Sequence, residues 1–268
     1  LLAEKGGDTD VERLIQGFAF LTARLRERLD DDVPEIIHTL TELVLPHFLR
    51  TLPACSIVEF TPVAGALRTR QKINRGTELA ATPIESTACR FRTTADVDLL
   101  PLTLQDAILD MSTPASPAIR VQFQTHEAGR VAVFHADGLR LFLHADPDLS
   151  AMLFLWLLRH CKSVSVRGQS AGAKGIELGR NAVRAVGFNP ECALLPWPRF
   201  GLGGYRLLQE YFTLPSKFFF FDVKGLDAFL PRAEDRFELV FQFDKPPTLP
   251  SRIAKENFKL HCAPVINL

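Results

Sequence analysis

Tyrosine and tryptophan are scarce in this sequence, two of each against 21 phenylalanines. Phenylalanine brings contact area without a polar handle, so the bias points to core and permanent interface. A sugar-binding or paratope-like surface would favour Tyr and Trp. Surplus charge is also missing. Lys plus Arg and Asp plus Glu each total 31, which leaves neither the basic excess nor the basic stripe of a nucleic-acid binder. Near-zero net charge does little to keep free monomers apart and suits a protein that lives in a complex. The longest uninterrupted apolar run, Ala151 to Leu158, is far short of a membrane span. No signal peptide is visible, and direct membrane insertion is not expected. No CxxC occurs. The five cysteines, at 55, 89, 161, 192 and 262, are odd in number and widely spaced. That pattern speaks for reduced, mostly buried thiols in a cytoplasmic protein and against a disulfide framework.

The familiar catalytic signatures are missing as well. There is no GxSxG elbow and no Walker pattern. Gly201-Leu202-Gly203-Gly204 begins like a dinucleotide fingerprint but lacks the final glycine and a preceding strand, so it reads as a turn leading into a helix. His160-Cys161 and His261-Cys262 come nearest to metal ligands. Adjacent residues on a strand point to opposite faces, however, and neither pair has a second ligand at CxxC or HxxxH spacing. Asp30-Asp31-Asp32 lacks the interleaved spacing of a calcium loop and reads as a solvated acidic turn. Arg13, Arg24, Arg26 and Arg28 are scattered around their helix. No catalytic site, metal or cofactor is expected.

What is present is an ordinary globular composition, 47% apolar and 23% charged, able to bury a core. The length of 268 residues allows two domains or one large one. Residues 9–50 read as helical. Thr9 as N-cap and Glu12 at N3 would form a capping box. Val11, Leu14, Ile15, Phe18, Leu25 and Leu29 then recur at helical spacing. Asp30 to Asp32 should end this helix. Pro34 suits the first turn of a second, carrying Ile36, Ile37, Leu40, Leu43 and Val44 and stopped by Pro46. From residue 53 the period changes to two. Ser56–Phe60, Cys89–Thr93 and Ile119–Phe123 read as strands, Asn74-Arg75-Gly76 as a turn, and Asp137-Gly138 as a hairpin turn between 131–135 and 139–144. Leu149–Cys161 should be a buried helix and Ser163–Val166 a strand. Tyr205–Phe212 should be a helix with Leu207, Leu208, Tyr211 and Phe212 inward. Lys217–Val223, with four consecutive Phe, reads as a doubly buried strand or core wedge. Phe237, Leu239, Phe241 and Phe243 alternate as a further strand. Residues 251–257 are expected helical and 258–262 extended. The fold class is α+β: an N-terminal helical segment (1–50), an antiparallel β region (51–147) and a mixed α+β region (148–268).

Several segments, in order along the chain, resemble the TssF (ImpG/VasA) family of type VI secretion baseplate subunits. They include Val11 to Leu21, Leu45 to Arg50 with Pro53 and Ser56 to Val58, and Arg75-Gly76-Thr77. Cys89 to Thr93, Leu139 to Leu143 and Leu157 to Cys161 follow. The most specific is Gly204-Tyr205-Arg206-Leu207-Leu208-Gln209-Glu210-Tyr211-Phe212, continuing to Pro215-Ser216-Lys217-Phe218 and Phe221-Asp222. Phe258 to Leu268 looks like the family's mid-chain junction, so the resemblance implies that this chain is roughly an N-terminal half without the first helical stretch. It also implies a cytoplasmic wedge scaffold at the inner-membrane face. That scaffold would work without catalysis or cofactor and assemble with TssG, a second TssF copy, TssK and TssE around the VgrG/Hcp spike and tube.

Two amphipathic helices over residues 9–45 cannot bury both their faces alone and need the rest of the chain, the missing N-terminus or a partner. If a partner covers them, Val11, Leu14, Ile15, Phe18, Leu25, Ile37 and Leu40 are the candidate partner interface. Two other readings stay open. An enzyme would need a pocket of convergent titratable groups near His160, His261 or Glu210. A carbohydrate- or peptide-binding β module in 53–147 would need exposed aromatics on its sheet.

Overall fold

The computed structural model describes residues 8–63, 67–83, 85–113, 116–125, 138–168, 175–198, 201–228, 235–249 and 252–267. The chain divides into two compact units, Leu1–Leu52 and Pro53–Leu268.

The first unit is helical. A single helix, α1 (Thr9–Val44), is followed by the short α2 (Pro46–Leu49). The N-cap is Asp8, one residue earlier than expected. Its carboxylate accepts the Asp10 N–H at 3.1 Å, and its carbonyl takes the N–H groups of Val11 and Glu12, as a good capping residue does. The expected break at Asp30–Pro34 is absent, because the helix runs through with Pro34 inside it. Proline removes one backbone hydrogen bond there. The apolar period nevertheless continues from Leu25 and Leu29 to Ile36, Ile37 and Leu40, and Arg26 pairs with Asp30 at 3.8 Å. The local stop signal is outweighed by the apolar pattern that continues past it. Pro46 does end α1.

The second unit is built from antiparallel sheets in three layers. The middle layer is β11 (Val183–Ala185), β12 (Phe220–Val223), β8 (Leu139–Leu143) and β14 (Phe258–Lys259), in that spatial order. One flanking sheet is β10 (Ile176–Glu177), β9 (Cys161–Gly168), β13 (Arg236–Phe243), β7 (Ala118–Thr125) and β6 (Leu102–Asp110). The other is β1 (Cys55–Glu59), β15 (Cys262–Asn267), β4 (Arg90–Thr93) and β3 (Glu78–Ala80). A two-stranded ribbon pairs β2 (Gln71–Ile73) with β5 (Val97–Leu99). Strands from both sides of residue 147 share sheets: β7 pairs with β13, and β8 with β12 and β14. The regions 51–147 and 148–268 are therefore not two compact units.

The layers follow from strand alternation. Phe221 and Val223 of β12 join Ile119, Val121, Phe123, Phe237, Leu239 and Phe241 in one large core, where the Phe221 and Phe241 rings meet edge to face at 6.2 Å. Phe220, one residue out of phase, turns to the other side. There it packs on its cross-strand partner Phe142 at 4.6 Å and on Cys262 and Ile57 of the third layer. The phenylalanine run is thus two-sided, as its sequence implies. Helix α3 (Pro147–Leu155) closes the large core with Leu149 and Leu153. It is shorter than expected: a π-helical turn over Trp156–His160 follows, and Cys161 already belongs to β9. Residues 131–135 and Asp137, the first arm and turn of the expected hairpin, lie outside the described residues.

The expected strand at 258–262 is split. Between β14 and β15, His261 sits at φ 55°, a left-handed conformation that ends the extended run. Its buried Nε2 accepts the Leu100 N–H at 3.1 Å, and burial pushes the imidazole down to about 4. The folded state therefore binds this proton less readily than the unfolded chain. His261 contributes stability that is present above pH ~6.5 and lost as the pH falls toward 4, at most about 3 kcal/mol. Replacing it by Asn, which tolerates the left-handed region, should remove that dependence. In urea titrations at pH 7, 5.5 and 4, the stability gap between wild type and His261→Asn should narrow as the pH drops. A constant gap would contradict the assignment.

Candidate interaction surfaces

All seven sequence-predicted interface residues lie on α1. At 3.6 residues per turn, Val11, Leu14, Ile15, Phe18, Leu25, Ile37 and Leu40 fall on one side of the helix. Their exposures run from 43% for Ile15 to 76% for Leu14. Leu21, Leu29, Ile36, Leu43 and Val44 are exposed with them. At 1.5 Å per residue the helix is roughly 54 Å long. Fully burying each such side chain is worth about 1.5–3 kcal/mol, so the stripe holds a large unrealised burial energy.

A second uncovered surface was not anticipated. Helix α4 (Gly203–Thr213) turns its charges inward and its large apolar side chains outward. Arg206, Glu210 and nearby Lys217 are 4%, 2% and 1% exposed, whereas Tyr205, Leu208, Tyr211 and Phe212 are 52%, 56%, 51% and 81% exposed. The expected inward placing of Leu208, Tyr211 and Phe212 is therefore reversed, and Leu207 is half-buried.

The reversal rests on one carboxylate. Glu210 accepts the Leu194 N–H at 2.7 Å and Arg206 Nη1 at 3.1 Å, and it forms an ion pair with Lys217 Nζ. Arg206 Nη2 donates to the Phe188 carbonyl at 2.8 Å. Lys217 also lies over the Phe218 ring at 5.3 Å. Burial lowers the Lys217 ammonium, opposed by the hydrogen bond and charge of Glu210. Two buried cations share one anion, and each finds a further acceptor or ring. The loop that supplies Phe188 and Leu194 is fixed from its other side. Arg75 donates to the carbonyls of Glu191 at 2.7 Å and Ala193 at 3.1 Å. Gly187 in this loop has φ 103°, and a Cβ there would stand 2.9 Å from the Lys217 carbonyl oxygen, so only glycine fits. The sequence did hold a signal: Arg206 and Glu210 are an i,i+4 pair of opposite charge, and Lys217 follows one turn beyond the helix.

Two clefts elsewhere meet at His261. One, about 400 Å³, is lined by Phe60, Val63, Leu67, Leu102, Phe258 and Leu260 among others. A more polar one, about 270 Å³, lies beside it. Three ion pairs line the polar cleft, Arg70 with Asp98, Lys72 with Asp96 and Arg140 with Asp222, together with Lys224. The His261 ring is occupied by Leu100, and Glu210 by its two cations. His160 faces Asp244 at 3.7 Å and stacks near Trp156. Burial holds the thiols of Cys161 and Cys262 up at about 11 and 12, which suits packing and not nucleophilic chemistry. Those two are buried, Cys55 and Cys192 are half-buried and Cys89 is exposed, fewer buried thiols than expected. Among the described residues no three His, Cys, Asp or Glu are placed to hold a metal ion, and no helix is long and apolar enough to cross a membrane. Among the described residues of 53–147, the exposed large apolar side chains are Val63, Ile108 and Met111, none of them aromatic.

Residues 1–268 match the sequence pattern of the family described as Type VI secretion system, TssF. The chain belongs to the TssF family. A curated relative, the type VI secretion system component TssF1 of Pseudomonas aeruginosa, is 35% identical over an alignment of 279 positions that covers 97% of this chain and 45% of the relative. A chain of the type VI secretion system TssK-TssF-TssG baseplate subcomplex, solved by cryo-electron microscopy, matches with a TM-score of 0.81 at 30% identity. That match covers 95% of this chain and 48% of the solved one. The TssF-family chain described here therefore spans about half the length of the relatives it matches.

The buried trio sets an order of stabilities. Glu210→Gln leaves two buried cations without their anion and should lower stability by about 3–5 kcal/mol, roughly 10 °C in Tm. Lys217→Met removes the surplus cation, keeps the Arg206–Glu210 pair and should cost far less. Thermal melts of the two variants test this, and equal losses would contradict the assigned geometry.

Proposed function

We propose that the intact protein is a structural wedge subunit of the type VI secretion baseplate, a contractile, phage-tail-like injection machine, and that it works by contact and not by catalysis. Family membership and the likeness to a chain solved with TssK and TssG support this reading. The observation that carries it is the uncovered apolar stripe of α1. A lone helix of this kind is marginal in water, and most helix stability in proteins comes from packing an amphipathic face.

In this reading the stripe from Val11 to Leu40 meets the TssG-type subunit and completes a helical bundle with it. TssK-type and TssE-type subunits, a second copy of the chain and the VgrG/Hcp spike and tube are the further neighbours. The assembly would sit in the cytoplasm against the inner membrane, and no cofactor is required.

The test is co-expression of the full-length protein with its TssG-type partner. Leu14→Asp combined with Phe18→Asp should abolish co-purification, because two carboxylates would be buried against an apolar surface. The melting of the sheet unit should stay unchanged, since both residues are exposed on α1. Undiminished co-purification would refute the interface.

A further inference from the structure

We propose that in the full-length protein the outer edge of β1 is paired with an extended segment of the same polypeptide from outside residues 1–268, which adds a fifth strand to the sheet of β1, β15, β4 and β3. This inference rests on family membership and on the length of the relatives. It is independent of the baseplate reading.

The open edge follows from the direction of the backbone groups. Asn267 donates its N–H to the Ala54 carbonyl at 2.8 Å, and Phe60 donates to the His261 carbonyl at 3.0 Å. Between these two bonds the register runs from Cys55 opposite Ile266 to Glu59 opposite Cys262 without a bulge. Hydrogen-bonded pairs alternate along an antiparallel ladder, so Ser56 and Val58 point their N–H and C=O groups at β15. Pro264, which has no N–H, accordingly stands opposite Ile57. The N–H and C=O groups of Cys55, Ile57 and Glu59 point away from β15. Among the described residues none of these groups has a hydrogen-bonding partner.

The other edges of the three sheets are blunted, as exposed edge strands usually are. β10 and β14 are two residues long, β3 and β11 three. β6 is long but carries a bulge between Leu104 and Asp106, and the Asp106 carboxylate takes the Ala107 N–H at 2.8 Å. β1 has five residues, no proline and no bulge. Its one charge, Glu59, is committed to Lys259 at 3.1 Å.

A cleft of about 400 Å³ runs along this edge, lined by Cys55, Ser56 and Ile57 in succession and faced by Phe142, His144 and Leu214. Successive side chains of a strand point to opposite faces. A cleft touched by three in a row therefore follows the edge of the strand and not one of its faces. Edge and cleft together make a strand-addition site, with main-chain groups to pair and a recess for alternate side chains.

The possible sources of a strand differ in what they require. A second copy pairing through its own β1 would bring Phe142, Phe220 and Cys262 packed against its Ile57. That is a whole further layer, where the cleft has room for the side chains of one strand. A separate subunit would leave the edge open until assembly, as a template for aggregation. A segment of the same polypeptide covers it as soon as the chain folds, and it pairs at the high effective concentration of a tether. The relatives have the length to supply it, since the matches cover 45% of one and 48% of the other.

The experiment is residue-resolved hydrogen exchange on the full-length protein, purified without partners and kept dilute enough to be monomeric. The amides of Cys55, Ile57 and Glu59 should exchange as slowly as those of Ser56 and Val58, on the order of a hundredfold slower than in an unfolded chain. A photo-reactive phenylalanine analogue at the exposed Ser56 should cross-link to a residue of the same polypeptide outside residues 1–268. Fast exchange at Cys55, Ile57 and Glu59 beside slow exchange at Ser56 and Val58 means an open edge and overturns the proposal. Protection that arises only when a TssG-type or TssK-type partner is added assigns the strand to that subunit and overturns it too. So does a cross-link to a second copy or to a residue within 1–268.

Discussion

Glu210 joins three pieces of chain that otherwise have little in common: the helix that carries it, the loop ending at Leu194, and the turn at Lys217 that leads into β12. Each of its oxygens is committed in a site closed to water. That commitment decides which way α4 faces, and the choice propagates outward. With the charges inside, Leu208 and Phe212 have nowhere to go but the surface, and the Phe218 ring becomes the floor under Tyr211. Buried ion pairs are weak sources of stability but strong sources of specificity when breaking one partner strands the other. Here the specificity is orientational.

The middle sheet does for the layers what Glu210 does for the helix. Because Phe220 and Phe221 alternate, a single short strand supplies a core on each side. The two flanking sheets need not touch to be held in one unit. The geometry also explains why β8 and β12 come from distant parts of the sequence. A strand buried on both faces is mostly apolar. β8 and β12 carry one charge each, Arg140 and Asp222, which pair with each other. Strands with more polar positions, such as β7 with Arg120, Gln122 and Gln124, lie in the outside layers. Arg120 illustrates the compromise, reaching Asp110 at 2.9 Å and Glu238 at 3.5 Å on its neighbouring strands.

Much of this was legible in the residues, and the misses have physical causes. Period-two alternation placed β7 and β13, and period 3.6 placed α1 with its uncovered stripe. Capping and stop signals are local and were overruled by longer-range consistency. Asp8 outcompeted Thr9 as the cap, and Pro34 did not break a helix whose apolar pattern continues past it. The orientation of α4 was missed for a different reason. Periodicity reveals that a helix has two unlike faces but not which one turns inward once the charges can neutralise one another. The segments that resemble the TssF family contained the missing information. Arg75-Gly76-Thr77 and Gly204 to Phe212 are far apart in sequence, yet both fasten the same loop at Glu191 to Leu194.

The stripe on α1 has one more consequence. In the proposed contact, the helical state of α1 draws on burial against another subunit, and its folding is then a second-order reaction whose helix content follows the concentration of that subunit. The entropy of ordering some forty residues is spent at the moment of association. Under that proposal, assembly and the folding of the first unit are one equilibrium, and dilution alone melts the helix.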